Sequence, residues 1–270
     1  MLYLVATPIG NLGDLSTRAI ETLRAVDVIY CEDTRHTGLL LKQFQIDKPT
    51  KSLQKHNERA RTEEVLAALK SGAEIAYVSD AGMPGVSDPG AMLTEACQKE
   101  GLPCTVVPGA SAVLIAAVLS GLPAQTVSFF GFLPREAKPR REALDAIAPL
   151  HHQVILYESP HRVQATLIDL HDRFGDGPAA VLRELTKKFE TVVPGTLSSL
   201  IEQFREEPKG ECVICFIPGR REASDAPDLD ELLRSLLQTE SLKDAAAIAA
   251  ERLSLPKKQV YRRALELREE

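Results

Sequence analysis

The sequence predicts an α/β protein: two α/β domains followed by a small C-terminal helical module of the helix-turn-helix type. Strand-forming runs alternate with helical spacing over residues 1–121, which is typical of a mostly parallel sheet with helices on both faces. Residues 122–219 change rhythm, and two strand patterns follow one another directly, which indicates mixed pairing. Residues 220–270 begin with a polar linker and then carry only helical signals. The sequence therefore predicts three domains with these boundaries.

In the first region, short apolar runs predict strands and periodic apolar residues predict helices. The predicted strands are Leu2–Ala6, Val26–Cys31, Glu74–Ser79 and Pro103–Val107. The predicted helices are Thr17–Ala25, Leu39–Phe44, Arg59–Ser71, one that starts with Asp88 as N-cap and Pro89 at its first position, and one that follows Ser111.

The second region and the tail give the same kinds of signal. Strands are predicted at Val127–Phe132, Gln153–Tyr157, Ala179–Glu184, Phe189–Val193 and Cys212–Pro218. Helices are predicted at Lys138–Ile147, from Ser159–Pro160 to Phe174, at Ser199–Glu206, at Leu229–Leu237, from Ser241 to Arg252, and from Pro256 to Leu267. The three short helices of the tail are typical of a helix-turn-helix module.

Composition narrows the class of protein. The 270 residues contain 44% hydrophobic and 26% charged residues, which is ordinary for a globular protein. No apolar run approaches the length of a membrane span, and no basic segment precedes the first strand, so we expect a cytoplasmic protein. The net charge of -6 argues against a general nucleic-acid binder, so any RNA contact must come from local basic patches.

Three loops rich in small residues follow predicted strands. They contain Pro8 and Gly10 after the first strand, Gly82 after the third and Gly109 after the fourth. Glycine lets the backbone approach a ligand closely, and ligands of open α/β sheets bind at the carboxyl ends of the strands. The loops therefore predict a cofactor cleft. The alternative is that they are ordinary turns leading into capped helices.

Asp80 lies at the mouth of the second loop, where its carboxylate could bind the amino or ribose groups of a cofactor. The alternative role for Asp80 is to bond nearby backbone amides. Gly10 and Gly13 follow the first strand without the earlier glycine of the dinucleotide fingerprint, so a nicotinamide enzyme is not expected.

A set of ordered motifs extends this interpretation over about seven-tenths of the chain. They are Ala6–Leu12, Glu32–Thr37, Val78–Gly82, Pro108–Gly109, Gly131–Pro134, Tyr157–Arg162 and Arg183–Lys187. In these motifs the chain resembles the tetrapyrrole-methylase family, and over its whole length the branch known as the ribosomal RNA small-subunit methyltransferase I group. The resemblance implies two α/β domains of the tetrapyrrole-methylase type around a cleft for S-adenosyl-L-methionine.

The resemblance also implies cofactor-binding residues. Ile9, Asp80, Met83, Ser111, Ala112 and Tyr157 match positions that line the pocket, and Pro8 and Gly82 belong to the same loops. The chain departs from the usual pattern at Met83, where Thr is common, at Gly85–Ser87, and at Ala110–Ser111, where Pro-Cys is often found. Met83 could still bind the cofactor through its backbone, so these departures concern side-chain roles and leave the predicted pocket unchanged.

By the same resemblance, the acceptor is the 2'-hydroxyl of a cytidine in the decoding region of small-subunit (16S) ribosomal RNA. A hydroxyl is a weak acid and benefits from a base or from a cation that stabilises the alkoxide. Glu184 and Lys187 are the candidates for these catalytic roles. The alternative is that they form a surface ion-pair cluster.

Phosphate contacts need cations, which position an RNA without reading its sequence. The predicted substrate-binding residues are Arg35, His36, Arg135, Arg140, Arg141, Lys257, Lys258 and Arg262, and Lys55 belongs to the same basic group. Each could instead be solvated surface. The six histidines are too dispersed to predict a metal site. The resemblance further implies a homodimer.

Two other functions fit the residues. One is a methyltransferase of the same fold that acts on a small molecule such as a corrinoid precursor, although such a substrate needs neither the basic tail nor the basic segment from Arg135 to Arg141. The other is a non-catalytic RNA-binding protein, against which the intact loop glycines argue.

Overall fold

The computed structural model describes residues 1–54, 56–219, 229–237, 240–253 and 257–269. The chain divides into two compact units, one formed by residues 1–171 and 176–218 and the other by residues 172–175 and 219–270. The first unit contains two five-stranded sheets. The predicted linker of residues 220–227, together with Lys55 and Pro256, lies outside the described residues.

The first sheet is entirely parallel. Its strands are β1 (Leu2–Val5), β2 (Val28–Cys31), β3 (Thr50–Ser52), β4 (Ile75–Val78) and β5 (Cys104–Val107). They are ordered β3-β2-β4-β1-β5, so β4 and β5 flank β1 and the loops that follow these three strands lie side by side. The short edge strand β3 was not predicted, because its three residues are polar and carry no apolar alternation.

Helices cover both faces of this sheet, as predicted. They are α1 (Thr17–Ala25), α2 (Thr34–Gln43), α3 (Glu58–Lys70) and α4 (Ala91–Lys99). Leu23 belongs to the apolar core on one face and Leu93 to the core on the other. Strand β4 is buried at all four positions, which explains its continuous apolar run.

The second sheet is mixed, as the change of rhythm indicated. Its strands are β6 (Val127–Phe132), β7 (Gln153–Glu158), β8 (Pro178–Arg183), β9 (Thr191–Thr196) and β10 (Cys212–Phe216), in the order β6-β7-β10-β8-β9. Only β6 and β7 are parallel neighbours, and the predicted antiparallel pair is β8 with β9. Its helices are α6 (Ala137–Ile147), α7 (Val163–Phe174) and α8 (Leu197–Gln203).

Helix α5 (Ala112–Leu119) follows the last strand of the first sheet but packs against the second. Its residues Ala116 and Ala117 are buried with Ile155, Leu182 and Val213. The connection thus carries the chain from one sheet to the core of the other. The predicted domain boundary after residue 121 follows this helix and stays a prediction.

The described residues of the second unit form three helices, which are α9 (Leu229–Leu236), α10 (Leu242–Arg252) and α11 (Lys257–Glu269). Leu233, Ala246, Ala249, Val260 and Ala264 form its small core. The many alanines let the helices approach closely around few large side chains. In the part of the chain that the structure describes, no helix has the length and apolar character needed to cross a bilayer.

Candidate active site

The three small-residue loops meet at one edge of the first sheet. Thr7 N–H donates to Gly82 O at 2.9 Å, and Gly82 N–H donates to Thr7 O at 3.1 Å. Gly82 has a φ of +78°, and a Cβ there would lie 3.2 Å from Ile9 Cγ2. A Cβ on Gly109 would lie 2.9 Å from Ala6 Cβ. Glycine is needed at Gly82 because of its positive φ, and at Gly109 because a Cβ would overlap Ala6 Cβ.

A cavity of about 400 Å³ opens beside these loops. Its volume falls within the range of about 300–1,000 Å³ that is usual for small-molecule and cofactor sites. Six of the eight predicted cofactor-binding residues line it, namely Ile9, Gly82, Met83, Ser111, Ala112 and Tyr157. The other two, Pro8 and Asp80, line a second cavity next to it.

The second sheet contributes an aromatic wall to the smaller cavity. The Tyr157 ring lies edge-on to Phe129, with centroids 4.8 Å apart, and to Phe132 at 5.6 Å. Burial, followed by the nearby carboxylates of Asp88 and Glu211, raises the pKa of Tyr157 to about 12. The phenol therefore stays neutral and offers an apolar face with a polar tip.

Asp88 also lines this cavity, and its predicted role was wrong. Helix α4 begins at Ala91 with Gly90 as N-cap at a φ of +116°, so Asp88 and Pro89 precede the helix. Only glycine fits there, because a Cβ on Gly90 would lie 2.7 Å from Tyr77 Cε1. The buried Glu58 carboxylate accepts the Gly90 N–H at 2.9 Å. The Asp88 carboxylate therefore does not cap the helix and lines the cavity instead.

The charge state of Asp88 is sensitive to pH near neutrality. Burial, followed by the negative charges of Glu32 and Asp80, raises the pKa of Asp88 to about 6. A carboxylate in such surroundings gains most from a cationic ligand. The sequence analysis missed this residue because a helix-start pattern, Asp followed by Pro, explained it locally.

Asp80 joins two loops of the first sheet. Its Oδ1 accepts a hydrogen bond from the Asp33 N–H at 3.0 Å. Asp33 is itself the N-cap of α2, where its side chain accepts from the Arg35 N–H. The Asp80 carboxylate thus bonds a backbone amide of another loop rather than of its own, and a cofactor role for Asp80 stays a prediction.

The second cavity is larger, about 840 Å³, and adjoins the first. Ile9, Ala81 and Glu211 line both. The larger cavity is also lined by Leu12 and Leu39, which are 47% and 71% exposed, and by polar side chains. These polar residues are His36, Lys42, Gln43, Gln45, Asp80 and Lys187. Apolar and hydrogen-bonding groups thus face the same space.

The two predicted catalytic residues lie in the turn after β8. Lys187 Nζ lies 3.0 Å from Glu184 Oε1 and 2.7 Å from Glu211 Oε2. Glu184 and Thr186 both have positive φ, +50° and +64°, which costs on the order of 1–3 kcal/mol each for residues other than glycine. Surrounding contacts must impose this conformation, which is frequent at functional sites.

The pKa values of the two residues shift in opposite directions. A hydrogen bond from the Glu211 N–H, followed by one from Lys187, lowers the pKa of Glu184. Burial alone would lower the pKa of Lys187, but the carboxylates of Glu211 and Glu184 outweigh it and raise that pKa. Lys187 is therefore an ammonium at neutral pH, suited to stabilise an anion, and Glu184 is a weak base.

Gly10 links this turn to the first sheet. A Cβ on Gly10 would lie 2.3 Å from Lys187 Cγ and 3.0 Å from Thr186 Oγ1. The sequence showed Gly10 as part of a small-residue loop, but nothing local indicated what it faces.

The predicted substrate-binding residues differ in their surroundings. His36 lines the larger cavity, and Arg35 pairs with Asp33 at 2.9 Å while staying 90% exposed. Arg140 is the most covered: its Nε lies 2.6 Å from Asp169 Oδ2, and its Nη2 donates to Thr166 Oγ1 at 2.9 Å. The structure places Arg135, Arg141, Lys257 and Arg262 at the exposed surface, and the side chain of Lys258 lies outside its described part. Substrate binding by each stays a prediction.

Two of the motifs hold the second sheet together. Glu158 is buried, accepts the Thr166 hydroxyl at 2.6 Å and faces Arg162. Arg162 Nη2 donates to Leu133 O at 2.9 Å. The segments Tyr157–Arg162 and Gly131–Pro134 are thus tied to each other, which positions Tyr157. Across the described residues, no three His, Cys, Asp or Glu side chains are grouped as a metal ion requires.

Two families of known sequence match the chain in succession. The family described as Tetrapyrrole (Corrin/Porphyrin) Methylases matches residues 1–201, and the RsmI C-terminal HTH domain matches residues 223–268. Fold and cavity therefore define a methyltransferase of the tetrapyrrole-methylase class, and the predicted fold class is confirmed.

Full-length relatives narrow the class further. Ribosomal RNA small subunit methyltransferase I of Synechocystis sp. is 45% identical over 99% of this chain and 98% of its own. The proteins of the same name from Escherichia coli O157:H7 and Bacillus subtilis are 42% and 38% identical, over 98% and 97% of this chain and 94% and 92% of theirs. The chain belongs to the ribosomal RNA small subunit methyltransferase I family, so the resemblance and the prediction of an S-adenosyl-L-methionine-dependent enzyme are confirmed.

Solved structures share the fold at low identity. Diphthine synthase aligns with a TM-score of 0.63 at 16% identity over 80% of this chain and 88% of its own. Uroporphyrin-III C-methyltransferase from Thermus thermophilus, complexed with S-adenyl homocysteine, aligns with a TM-score of 0.56 at 18% identity over 79% of this chain and 96% of its own. At this identity the likeness concerns the fold alone.

Proposed function

We propose that this protein transfers the methyl group of S-adenosyl-L-methionine to the ribose 2'-hydroxyl of a cytidine in the decoding region of small-subunit (16S) ribosomal RNA. The observation that carries the proposal is the meeting of two cavities at Ile9, Ala81 and Glu211, with the Lys187 ammonium 2.7 Å from the Glu211 carboxylate. One cavity takes the cofactor and the other the acceptor. The relatives are named for small-subunit ribosomal RNA, and the cytidine 2'-hydroxyl in its decoding region is what the family resemblance implies.

The smaller cavity fits the cofactor in size and in chemistry. Its loops offer backbone groups around Gly82 and Ser111 for polar edges, Tyr157 offers an aromatic face, and Asp88 offers a negative charge to a cationic ligand. When bound, the cofactor supplies an electrophilic methyl group on a positively charged sulfur. Met83 lines the cavity, so this departure from the usual Thr leaves the cavity in place.

The larger cavity is suited to the acceptor nucleotide. Its exposed Leu12 and Leu39 can pack against a ribose or base, and the amides of Gln43 and Gln45 can bond base edges. A base taken out of a stack is typically held by such a combination of apolar and hydrogen-bonding groups.

Lys187 acts on the acceptor oxygen. The bound cofactor would supply the methyl group to the 2'-oxygen, and the hydroxyl proton would then pass to water in the open cavity. The Lys187 ammonium stabilises the negative charge that develops on oxygen, and Glu184 orients the lysine through its 3.0 Å contact. Holding the acceptor in line with the methyl group contributes the remaining acceleration.

The basic residues position the RNA rather than read it. Arg135, Arg141, Lys257 and Arg262 are exposed and can contact phosphates, as can Arg35 and His36 near the larger cavity. Arg140 is better placed to hold Pro134 and α7 than to contact RNA, because its guanidinium already bonds Asp169 and Thr166.

The assembly and location follow from the family resemblance. We expect a homodimer that acts in the cytoplasm. Sedimentation of the purified protein tests the dimer directly, and a mass of one chain, 29.5 kDa, would contradict it.

The deciding experiment is transfer of labelled methyl to purified small ribosomal subunits and to their free RNA, both from cells that lack this protein, with the nucleoside then identified. We expect 2'-O-methylcytidine. No transfer to RNA by protein that binds the cofactor would favour a small-molecule methyltransferase of the same fold. No cofactor binding by folded protein would favour a non-catalytic RNA-binding protein.

A further inference from the structure

Glu211 precedes β10 and is the charged residue that the two cavities share. Its side chain is 78% exposed, yet its Oε2 lies 2.7 Å from Lys187 Nζ. Its backbone is bonded on both sides to Glu184, since its N–H donates to Glu184 Oε1 and its C=O accepts the Glu184 N–H, both at 3.0 Å. The backbone of Glu211 is thus fixed while its carboxylate reaches the lysine.

An exposed ion pair normally contributes little, because two long side chains must be ordered to form it. Here neighbouring residues also fix the positions of the side chains that surround the ion pair. A Cβ on Gly10 would overlap Lys187 Cγ at 2.3 Å, and a Cβ on Gly210 would overlap Glu184 Cδ at 2.4 Å. The absence of side chains at these two glycines leaves room for Lys187 and Glu184 in their observed places.

The turn itself is held in a strained conformation. Glu184 and Thr186 adopt positive φ, and the Thr186 Oγ1 atom is buried without a hydrogen-bond partner. The Thr186 N–H donates to Glu190 Oε2 at 2.6 Å. A turn that keeps such features is set by tertiary contacts, and the ion pair of Lys187 with Glu211 is one of them.

We infer that Glu211 is a positioning residue for methyl transfer: its carboxylate holds the Lys187 ammonium where the two cavities meet, facing the acceptor oxygen. This inference rests on the proposed function. Glu184 contacts the same ammonium but lines neither cavity, so it orients the lysine from behind. Glu211 orients it from the side where the substrates meet.

The first test follows Lys187 by NMR, in protein with labelled lysine side chains, and does not depend on activity. The charged groups that face Lys187 are Glu184 and Glu211, with Asp80 and His36 lining the same cavity. We expect Glu211→Gln to lower the pH at which Lys187 titrates, because one of its two close carboxylates is neutralised. Glu95→Gln, which removes the exposed partner of Lys99 on α4, is the matched control and should leave the Lys187 signal unchanged.

The second test is a double-mutant cycle in the methyl-transfer assay. We expect Glu211→Gln to lower kcat about tenfold, less than the loss of a catalytic donor itself, with KM for the cofactor unchanged within about twofold. In the Lys187→Ala background the same change should have no further effect, because Glu211 acts through the lysine. Glu211→Asp should recover part of the rate.

The outcomes separate the inference from the proposed function. An unchanged Lys187 titration, or losses that multiply in the double variant, would overturn the role of Glu211. Absence of methyl transfer by the wild-type protein would overturn the proposed function, and the NMR titration would still decide whether Glu211 holds Lys187.

Discussion

Two parts of the candidate site face each other and are built differently. The loops after β1, β4 and β5 use glycine at positions such as Gly82, which has a positive φ and bonds the Thr7 backbone in both directions. The turn after β8 instead places Glu184 and Thr186 at positive φ and holds them with ion pairs and hydrogen bonds. The first construction relies on missing side chains and the second on charged ones. A cofactor cavity needs close backbone approach, whereas an ammonium must be aimed by its partners.

The largest effect is expected from the lysine of the charged turn. Lys187→Ala should lower kcat by about 10²–10³-fold, or about 3–4 kcal/mol, because a donor to the developing oxyanion is lost. Cofactor binding should change little, since Lys187 lines the other cavity. Single-turnover methyl transfer and cofactor titration measure the two quantities.

Lys188→Ala is the matched control, because that exposed neighbour carries the same charge beside Phe189. Equal losses in the two variants would mean that Lys187 contributes only to the overall charge of this surface.

The second prediction concerns the contact between the loop after β1 and the turn after β8. Gly10→Ala places a Cβ against Lys187 Cγ and should lower kcat by about tenfold or more by displacing the ammonium. Gly13→Ala, in the same loop, meets only Asn11 Oδ1 at 3.2 Å and serves as control. Wild-type activity in the Gly10 variant would show that the loop and the turn are independent.

The third prediction concerns the two carboxylates, Asp88 and Asp80, that lie in the glycine-rich loop after β4. With a pKa of about 6, Asp88 is ionised above pH 6, so affinity for the cationic cofactor should fall as the pH drops through 6. Asp88→Asn should weaken binding about tenfold at pH 7.5, as expected for a lost charge-assisted hydrogen bond, and remove this pH dependence. Calorimetric titrations at pH 5 and 7.5 measure both effects.

Asp80 provides the comparison. The sequence-based expectation is that Asp80→Ala weakens cofactor binding while folding is retained, and an unchanged affinity would remove Asp80 from the site. A pH step that persists in Asp88→Asn would likewise assign the titration to another group.

Asp88 also makes a prediction about stability. Its pKa in the folded protein, about 6, lies above the ordinary aspartate value of 3.8, so ionisation costs folding free energy above pH 6, and this cost vanishes below about pH 4. Asp88→Asn should therefore raise the melting temperature at pH 7.5 and leave it unchanged at pH 3.5, where both residues are neutral.

The smallest effect is expected in the second unit, which holds helices α9 to α11 and contains neither the glycine-rich loops nor the charged turn. Lys257→Gln and Arg262→Gln should each weaken binding to small-subunit RNA a few-fold and reduce the salt dependence of log Kd by about one ion, as for single phosphate contacts. Lys99→Gln on α4 is the control. Unchanged salt dependence would make this unit a stability or association element.

The sequence by itself determined the elements and the glycine-rich loops. Strands such as β4 and helices such as α1 follow from local periodicity, and α1 begins and ends where the apolar spacing predicted. Five of the predicted residues that line the smaller cavity follow β1, β4 or β5, which are neighbours in the first sheet, whereas Tyr157 lies in β7 of the second sheet. Information of this kind is contained within a few residues of chain.

The tertiary structure alone decided which distant residues meet. The N-cap of α4 is Gly90 rather than Asp88. The Tyr77 ring leaves no room for a Cβ at this position, and the Glu58 carboxylate accepts the Gly90 N–H. The tertiary structure also brought Gly10 against Lys187, and Lys187 against Glu211, which are contacts between segments far apart in sequence. Local propensities do not encode such contacts, since they arise only when two sheets and the helix between them pack together.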